Sequence, residues 1–302
     1  MEVALALYGA IESGGHKFVC LIAEDKDTIL EKKVFLTKKP KETILEVVNF
    51  FRQFGNLQSL GIASFGPIDL NQNSQNYGVL TTTPKTLWQG IDLRKEINSR
   101  LRIPVYIDTD VNSAALAEHL WGSANDVSNL VYITVGTGIG AGIICNDKLI
   151  KGFSHTEFGH IRIPHDLKED SFLGVCIFHG NCLEGLASAP AINKRCELEE
   201  GRIPPPEHQV WSLVAKYLSF AVNNLIFTTA PEKIILGGGV MKNKKLITLI
   251  RQNVYDLLNS YVEYDPIKFD LENYIVHPKL GDEAGVLGAL AIAMGLNFEI
   301  NQ

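Results

Sequence analysis

A chain of 302 residues, 46% apolar and 21% charged, has the make-up of one large or two medium globular domains. Its net charge of −6 offers nothing to attract nucleic acid or an anionic membrane surface. The opening "MEVALALYGAIESGGHKF" lacks the basic start and cleavage site of a secretory signal, no apolar run reaches about 18 residues, and five scattered cysteines make no disulfide framework. A cytoplasmic, reducing location without membrane contact is the expectation.

The first element reads as a hairpin: strand "VALALYGAI" from Val3, turn "ESGGHK", strand "FVCLIAED". An apolar run from Ile29 to Leu36 follows the turn signal "DKD", and "KETILEVVNFFRQF" has the helical spacing of Ile44, Val47, Val48 and Phe51. The buried strand "LGIASF" runs into "GPID". Later the strand "IPVYIDTD" passes directly into the helix "VNSAALAEHLWG". This alternation predicts an α/β fold.

The middle of the chain repeats the opening plan. "LVYITVGTGIGAGIICNDKLI", Leu130 to Ile150, is again strand, glycine turn and strand. Two α/β halves of similar design follow from it, with a boundary at 115/116: an N-terminal domain 1–115 and a C-terminal domain 116–302, the last helix returning to the first. A long apolar helix, "HQVWSLVAKYLSFAVNNLIFTTA", leads into the buried strand of "PEKIILGGGVM". The chain closes on a helix in "GDEAGVLGALAIAMG", opened by acidic residues that suit a helix N-terminus.

Three glycine-rich turns follow strands: "ESGGHK", "GTGIGAG" and "GGGVM". Glycine lets backbone N–H groups close on a phosphate, although each turn alone is equally a tight hairpin. "GTGIGAG" lacks the dinucleotide spacing and precedes a strand, and no P-loop pattern occurs. Three such turns in two similar halves favour a nucleotide held in a cleft.

The motifs "GAIESGGHKF", "SFGPID", "TTTPKTLW", "DTDVNSAALAE", "VGTGIGAG", "HTEFGH", "CLEGLASAPAI" and "LGGGVM" run in order over essentially the whole chain. In them the sequence resembles the ROK family of repressors, open reading frames and kinases, and within it the fructokinase branch. The resemblance implies an actin-like, hexokinase-type fold, two α/β domains around a central cleft. It also implies ATP and Mg2+ as co-substrates, a small-molecule sugar as partner and a homodimer. By resemblance, Gly14, Gly15 and Lys17, with Thr137, Gly138 and Gly140, face the ATP phosphates, and Gly237, Gly238 and Gly239 lie by the adenosine. His16 stands where the family usually has Thr.

Phosphoryl transfer to a hydroxyl needs a carboxylate to accept the proton. Asp110 falls where a strand meets a helix, a place that also suits a plain capping aspartate. The resemblance assigns it as the catalytic base, and Asn112, Glu157, His160 and Glu184 as sugar ligands. Thr109 replaces the Asn usual in glucose kinases of the family, which disfavours glucose.

Cys20 and Cys145 sit in apolar runs and Cys196 in a polar segment, all readable as inert thiols. "CIFHGNC" differs: Cys176, His179 and Cys182 supply three soft ligands, or else a chance cluster of unligated thiols. The resemblance offers His160 as a fourth, completing a Cys2His2 set for structural Zn2+. The resulting expectation is an ATP-dependent fructokinase making fructose 6-phosphate. A mannose or glucose kinase is the nearest alternative. A sugar-responsive repressor is disfavoured because the first hairpin begins at Val3, and a non-catalytic actin-like filament because Asp110 and the sugar motifs are kept.

Overall fold

Apolar strands alternating with amphipathic helices build two mixed five-stranded sheets in this computed structural model, which describes residues 6–199 and 202–296. The strand start expected at Val3 lies outside the described residues. In the first sheet, β1 (Leu7–Ser13), β2 (Lys17–Ala23) and β3 (Ile29–Leu36) form an antiparallel meander. Helix α1 (Pro40–Phe51) then returns the chain to β4 (Leu57–Ser64), which pairs parallel to β1. Helix α2 (Leu93–Leu101) leads to β5 (Val105–Thr109), parallel to β4, giving the order β3-β2-β1-β4-β5. Helix α3 (Asp110–Trp121) follows β5 without a loop.

The second sheet repeats the opening hairpin as β6 (Leu130–Val135) and β7 (Ile139–Cys145), and its order is β10-β9-β6-β7-β8. Here β8 is the two-residue strand Lys148–Leu149. Two short helices, α4 (Leu183–Ala187) and α5 (Ala189–Arg195), precede the long α6 (Val210–Thr229). Strand β9 (Lys233–Gly237), α7 (Lys244–Leu258) and β10 (Ile275–Val276) complete it. By length and hydropathy α6 alone among the described helices resembles a membrane span, yet Trp211, Val214, Leu218, Val222 and Leu225 bury it in this unit's core.

Two compact units result: one from the described residues of Met1–Ala117, Lys148–His155 and Asp282–Gln302, the other from Glu118–Asp147 and Thr156–Gly281. Each has its own core. In the first, Phe18, Phe50, Phe51, Leu60 and Ile62 pack between sheet and helices. Its sheet is covered on another side by the C-terminal helix Ala284–Ala293, which is buried throughout. That helix approaches so closely that a side chain on Gly61 would overlap the Ala289 carbonyl, while the Ser59 hydroxyl donates to the Ala293 carbonyl at 2.5 Å. The second core gathers Val131, Ile133, Ile234 and Leu236 of its sheet against α6 and α7.

Candidate active site

In the first unit the β1–β2 hairpin turns at Gly14 and Gly15. The Gly14 N–H donates to the Lys17 carbonyl at 2.9 Å, and the Thr37 hydroxyl donates to the Gly14 carbonyl at 2.7 Å. Gly14 therefore spends its own N–H on closing the turn. Its contribution to any phosphate site is the shape of the loop.

Asp110 opens α3. The helix-capping alternative for it is filled by its neighbour: the Thr109 hydroxyl accepts the Asn112 N–H at 3.1 Å, and Thr109 is buried. Asp110 Oδ1 accepts the N–H of Val111 at 2.9 Å, so the carboxylate is steadied at the positive end of the helix dipole. Asn112 is also buried, its side-chain amide donating to Asp108 Oδ1 at 2.7 Å. Asp108 takes the Thr109 N–H as well, and Lys151 Nζ lies 3.4 Å from its second oxygen. Lys151 belongs to the segment Lys148–His155, which is tied to this unit again by His155 Nε2 accepting the Ile68 N–H at 3.3 Å.

Glu12, on β1, escaped the sequence reading although a carboxylate amid "GAIES" was its signal. Burial, then the Asp110 charge, pushes its pKa up from the usual carboxylate range to about 7, against the pull of Lys17. A Cβ on Gly285 would lie 2.6 Å from Glu12 Oε1, so the C-terminal helix walls in this carboxyl group.

In the second unit the motifs "VGTGIGAG", "TEFGH" (Thr156 to His160) and "CLEG" converge. The Thr156 hydroxyl donates to the Ala141 carbonyl at 2.6 Å, and a side chain on Gly159 would overlap the Ile139 carbonyl. Glu184 Oε2 accepts the Ile139 N–H at 2.9 Å and fills the space a Cβ on Gly138 would need. Thus Glu184, expected on the sugar, also braces the turn carrying Thr137, Gly138 and Gly140. Glu157 is exposed and directly precedes the 3-10 turn Phe158–His160, without a capping hydrogen bond from its side chain. At the end of β9, Gly238 has φ +91° and presses on Val135, whereas Gly239 faces open space on its Cβ side.

His160, Cys176, His179 and Cys182 bring four ligand atoms within 4.8 Å of one another. The His160 and His179 Nδ1 atoms are 3.3 Å apart, Cys182 Sγ is 3.5 Å from His160 Nδ1, and Cys176 Sγ is 3.7 Å from each Nδ1. A tetrahedral zinc ion at about 2.05 Å from nitrogen and about 2.3 Å from sulfur needs ligand edges of about 3.3–3.8 Å. The donor set and its spacing fit the ion. The Gly185 N–H points at Cys182 Sγ at 3.5 Å, and burial pushes this thiol up to about 11. A cavity of about 900 Å³ in this unit, at Asp170, Arg195 and His208, touches none of these motifs. Of the other cysteines, Cys20 is buried, Cys145 exposed and Cys196 half-buried.

Residues 8–295 match the model of the ROK family. The chain is 41% identical over 287 residues to the fructokinase of Pediococcus pentosaceus, covering 95% of this chain and 97% of that protein. It is 41% identical over 292 residues to the fructokinase of Streptococcus mutans serotype c, covering 95% and 97%. Among solved structures, a ROK family glucokinase from Streptomyces griseus in complex with glucose and AMPPNP superposes with a TM-score of 0.76 at 22% identity, over 96% of this chain and 99% of that one.

Proposed function

The chain belongs to the ROK family, and we propose that within it the protein is an ATP-dependent fructokinase, transferring the γ-phosphoryl group to the 6-hydroxyl of D-fructose. The observation that carries the reading is near-full-length likeness to proteins named fructokinase, in a chain that keeps Asp110 at the head of α3.

Asp110 accepts the proton of the attacking hydroxyl. The helix N-terminus favours negative charge at this position, and with Thr109 doing the capping the Asp110 carboxylate is not needed for that task. Asn112 meets the sugar: with its NH2 group turned to Asp108, its carbonyl oxygen is the atom left to accept from a hydroxyl. Glu157 and Glu184 supply further acceptors. His160 serves in two roles without conflict. A metal held on Nδ1 would leave the proton on Nε2, free to donate to a sugar oxygen.

On family membership, Gly14, Gly15 and Lys17, with Thr137, Gly138 and Gly140, are the residues for the ATP phosphates, and Gly237–Gly239 those for the adenosine. Magnesium prefers oxygen ligands and retained waters, so it travels with the phosphates; Glu12 and Asp110 are the carboxylates on the side of the first hairpin. His160, Cys176, His179 and Cys182 would hold a zinc ion in a closed ligand set, whose role would be to fix the sugar-binding segments and not to enter the chemistry. A homodimer is part of the reading on family membership.

A coupled spectrophotometric assay of common hexoses with ATP and magnesium tests the function. Fructose is expected to give the highest kcat/KM. Glucose or mannose ahead by tenfold overturns the sugar assignment.

A further inference from the structure

Gly15 raises a question that its backbone does not answer. It is absent from the residues with positive φ, so its dihedrals do not require glycine. What glycine provides there is room, and the occupant of that room is Lys85. A Cβ on Gly15 would lie 2.8 Å from Lys85 Cε and 3.7 Å from both Cγ and Nζ. The lysine stem therefore lies across the turn of the hairpin, with its ammonium group beside it.

Lys85 is held in that place from below. Its N–H donates to the Thr83 hydroxyl at 3.3 Å, its carbonyl accepts the Trp88 N–H at 2.8 Å, and the Gln89 amide donates to the Thr83 carbonyl at 2.9 Å. Trp88, 2% exposed, anchors this loop between Phe18 and Phe65, at ring-centroid distances of 5.3 and 6.0 Å. Phe18 follows Lys17 directly, so the same aromatic contact ties the loop to the hairpin it overlies.

Lys85 is exposed and makes no side-chain ion pair or hydrogen bond among the described residues. A cation presented on an aromatic-anchored loop, over a glycine that leaves room for its stem, is placed to meet an anionic ligand at the turn.

We propose that Lys85 is a further catalytic residue, whose ammonium group binds the γ-phosphoryl oxygens of ATP and follows that group during transfer. The inference rests on the kinase reading above. In the step, the bond from the γ-phosphorus to the β-γ bridging oxygen breaks and a bond to the sugar oxygen forms. The hydroxyl proton goes to Asp110 and ADP leaves. Lys85 gives up no proton; it offsets charge on the three peripheral oxygens, where a fixed cation is most effective.

The test uses the purified full chain with its metal complement, in magnesium buffer, comparing wild type with Lys85→Met and Lys85→Arg. Calorimetric titration reads AMPPNP against ADP, and steady-state assays separate kcat from the fructose KM. Lys85→Met is expected to lower kcat by about 10²–10³-fold, the scale for losing one transition-state donor, with KM for fructose within about threefold. AMPPNP should bind about tenfold more weakly while ADP is unchanged, and Lys85→Arg should recover part of both losses. Near-wild-type kcat in Lys85→Met, or equal weakening of AMPPNP and ADP, overturns the proposal. Gly15→Ala probes the same contact from the other side, because its new methyl group displaces the flexible lysine stem. Its effect on AMPPNP should largely vanish in the Lys85→Met background; an equal effect in both backgrounds also overturns it. A wild-type protein that fails to phosphorylate any hexose refutes the kinase reading instead, and the AMPPNP-to-ADP comparison still reports on Lys85.

Discussion

Asp108 Oδ1, at the end of β5, accepts the side-chain amide of Asn112, in the first turn of α3, at 2.7 Å, and this bond decides which face Asn112 presents. An amide has a donor end and an acceptor end. With the donor end committed to a buried carboxylate, Asn112 meets a ligand through its oxygen. Asp108→Asn removes the charge facing Lys151 and lets either end of the Asn112 amide turn outward. The expected result is a fructose KM raised about tenfold, in line with the loss of roughly one charge-assisted hydrogen bond, and a smaller change in kcat. Unchanged KM in the purified variant would remove Asp108 from sugar recognition.

Asp110→Asn keeps the shape of the side chain and removes the proton acceptor. Turnover should fall by about 10²–10⁴-fold, the range for loss of a general base, with nucleotide and sugar affinities nearly kept. Single-turnover kinetics on the variant is the measurement; a rate within threefold of wild type excludes Asp110 as the base.

Removing the metal should loosen two segments at once, because His160 lies three residues from Glu157 and Cys182 two from Glu184. Misplacement of about an ångström costs about 10²-fold in rate, so kcat/KM for fructose should fall on that scale after chelation. AMPPNP affinity should change far less. The fold should persist, since each unit has an extensive apolar core. Elemental analysis should find about one zinc per chain, and added zinc should restore activity. A metal-free preparation at full rate would sink the idea.

Glu12 makes stability depend on pH in the metal-free, nucleotide-free protein. Its pKa is raised to about 7 from a usual value of 4.5, first by burial and then by Asp110. The folded state therefore holds more protons than the unfolded one between those values, and stability is lost as pH rises through this window. The loss is on the order of 2 kcal/mol, below the full linkage value because Glu12 is only half-buried. Melting temperatures of wild type and Glu12→Gln, measured from pH 4.5 to 8, should diverge, with the variant's flatter. Parallel curves would show that Glu12 ionises at no cost.

Local pattern alone specified much of this protein. Apolar spacing placed the helix around Ile44–Phe51 and the second hairpin from Leu130, because these elements bury apolar residues whatever surrounds them; the run Ile29–Leu36 is also a strand, though exposed along nearly all of its length. The order of motifs along the chain was also enough to nominate Asp110, the glycine turns and the Cys/His tetrad. What the sequence lacked was any record of distance between residues far apart in it. Lys85 reads as an ordinary polar loop residue until β2 and its anchoring Trp88 set it over Gly15. Lys151 lies 43 positions from Asp108, and only the clustering of Lys148–His155 with the first unit brings the two charges together. Glu12 is one acid in an apolar strand, and its raised pKa comes from Asp110 and from the wall of a helix that begins more than 250 residues later. Burial and electrostatics act through space, so these three residues took on their character only when tertiary packing fixed their neighbours.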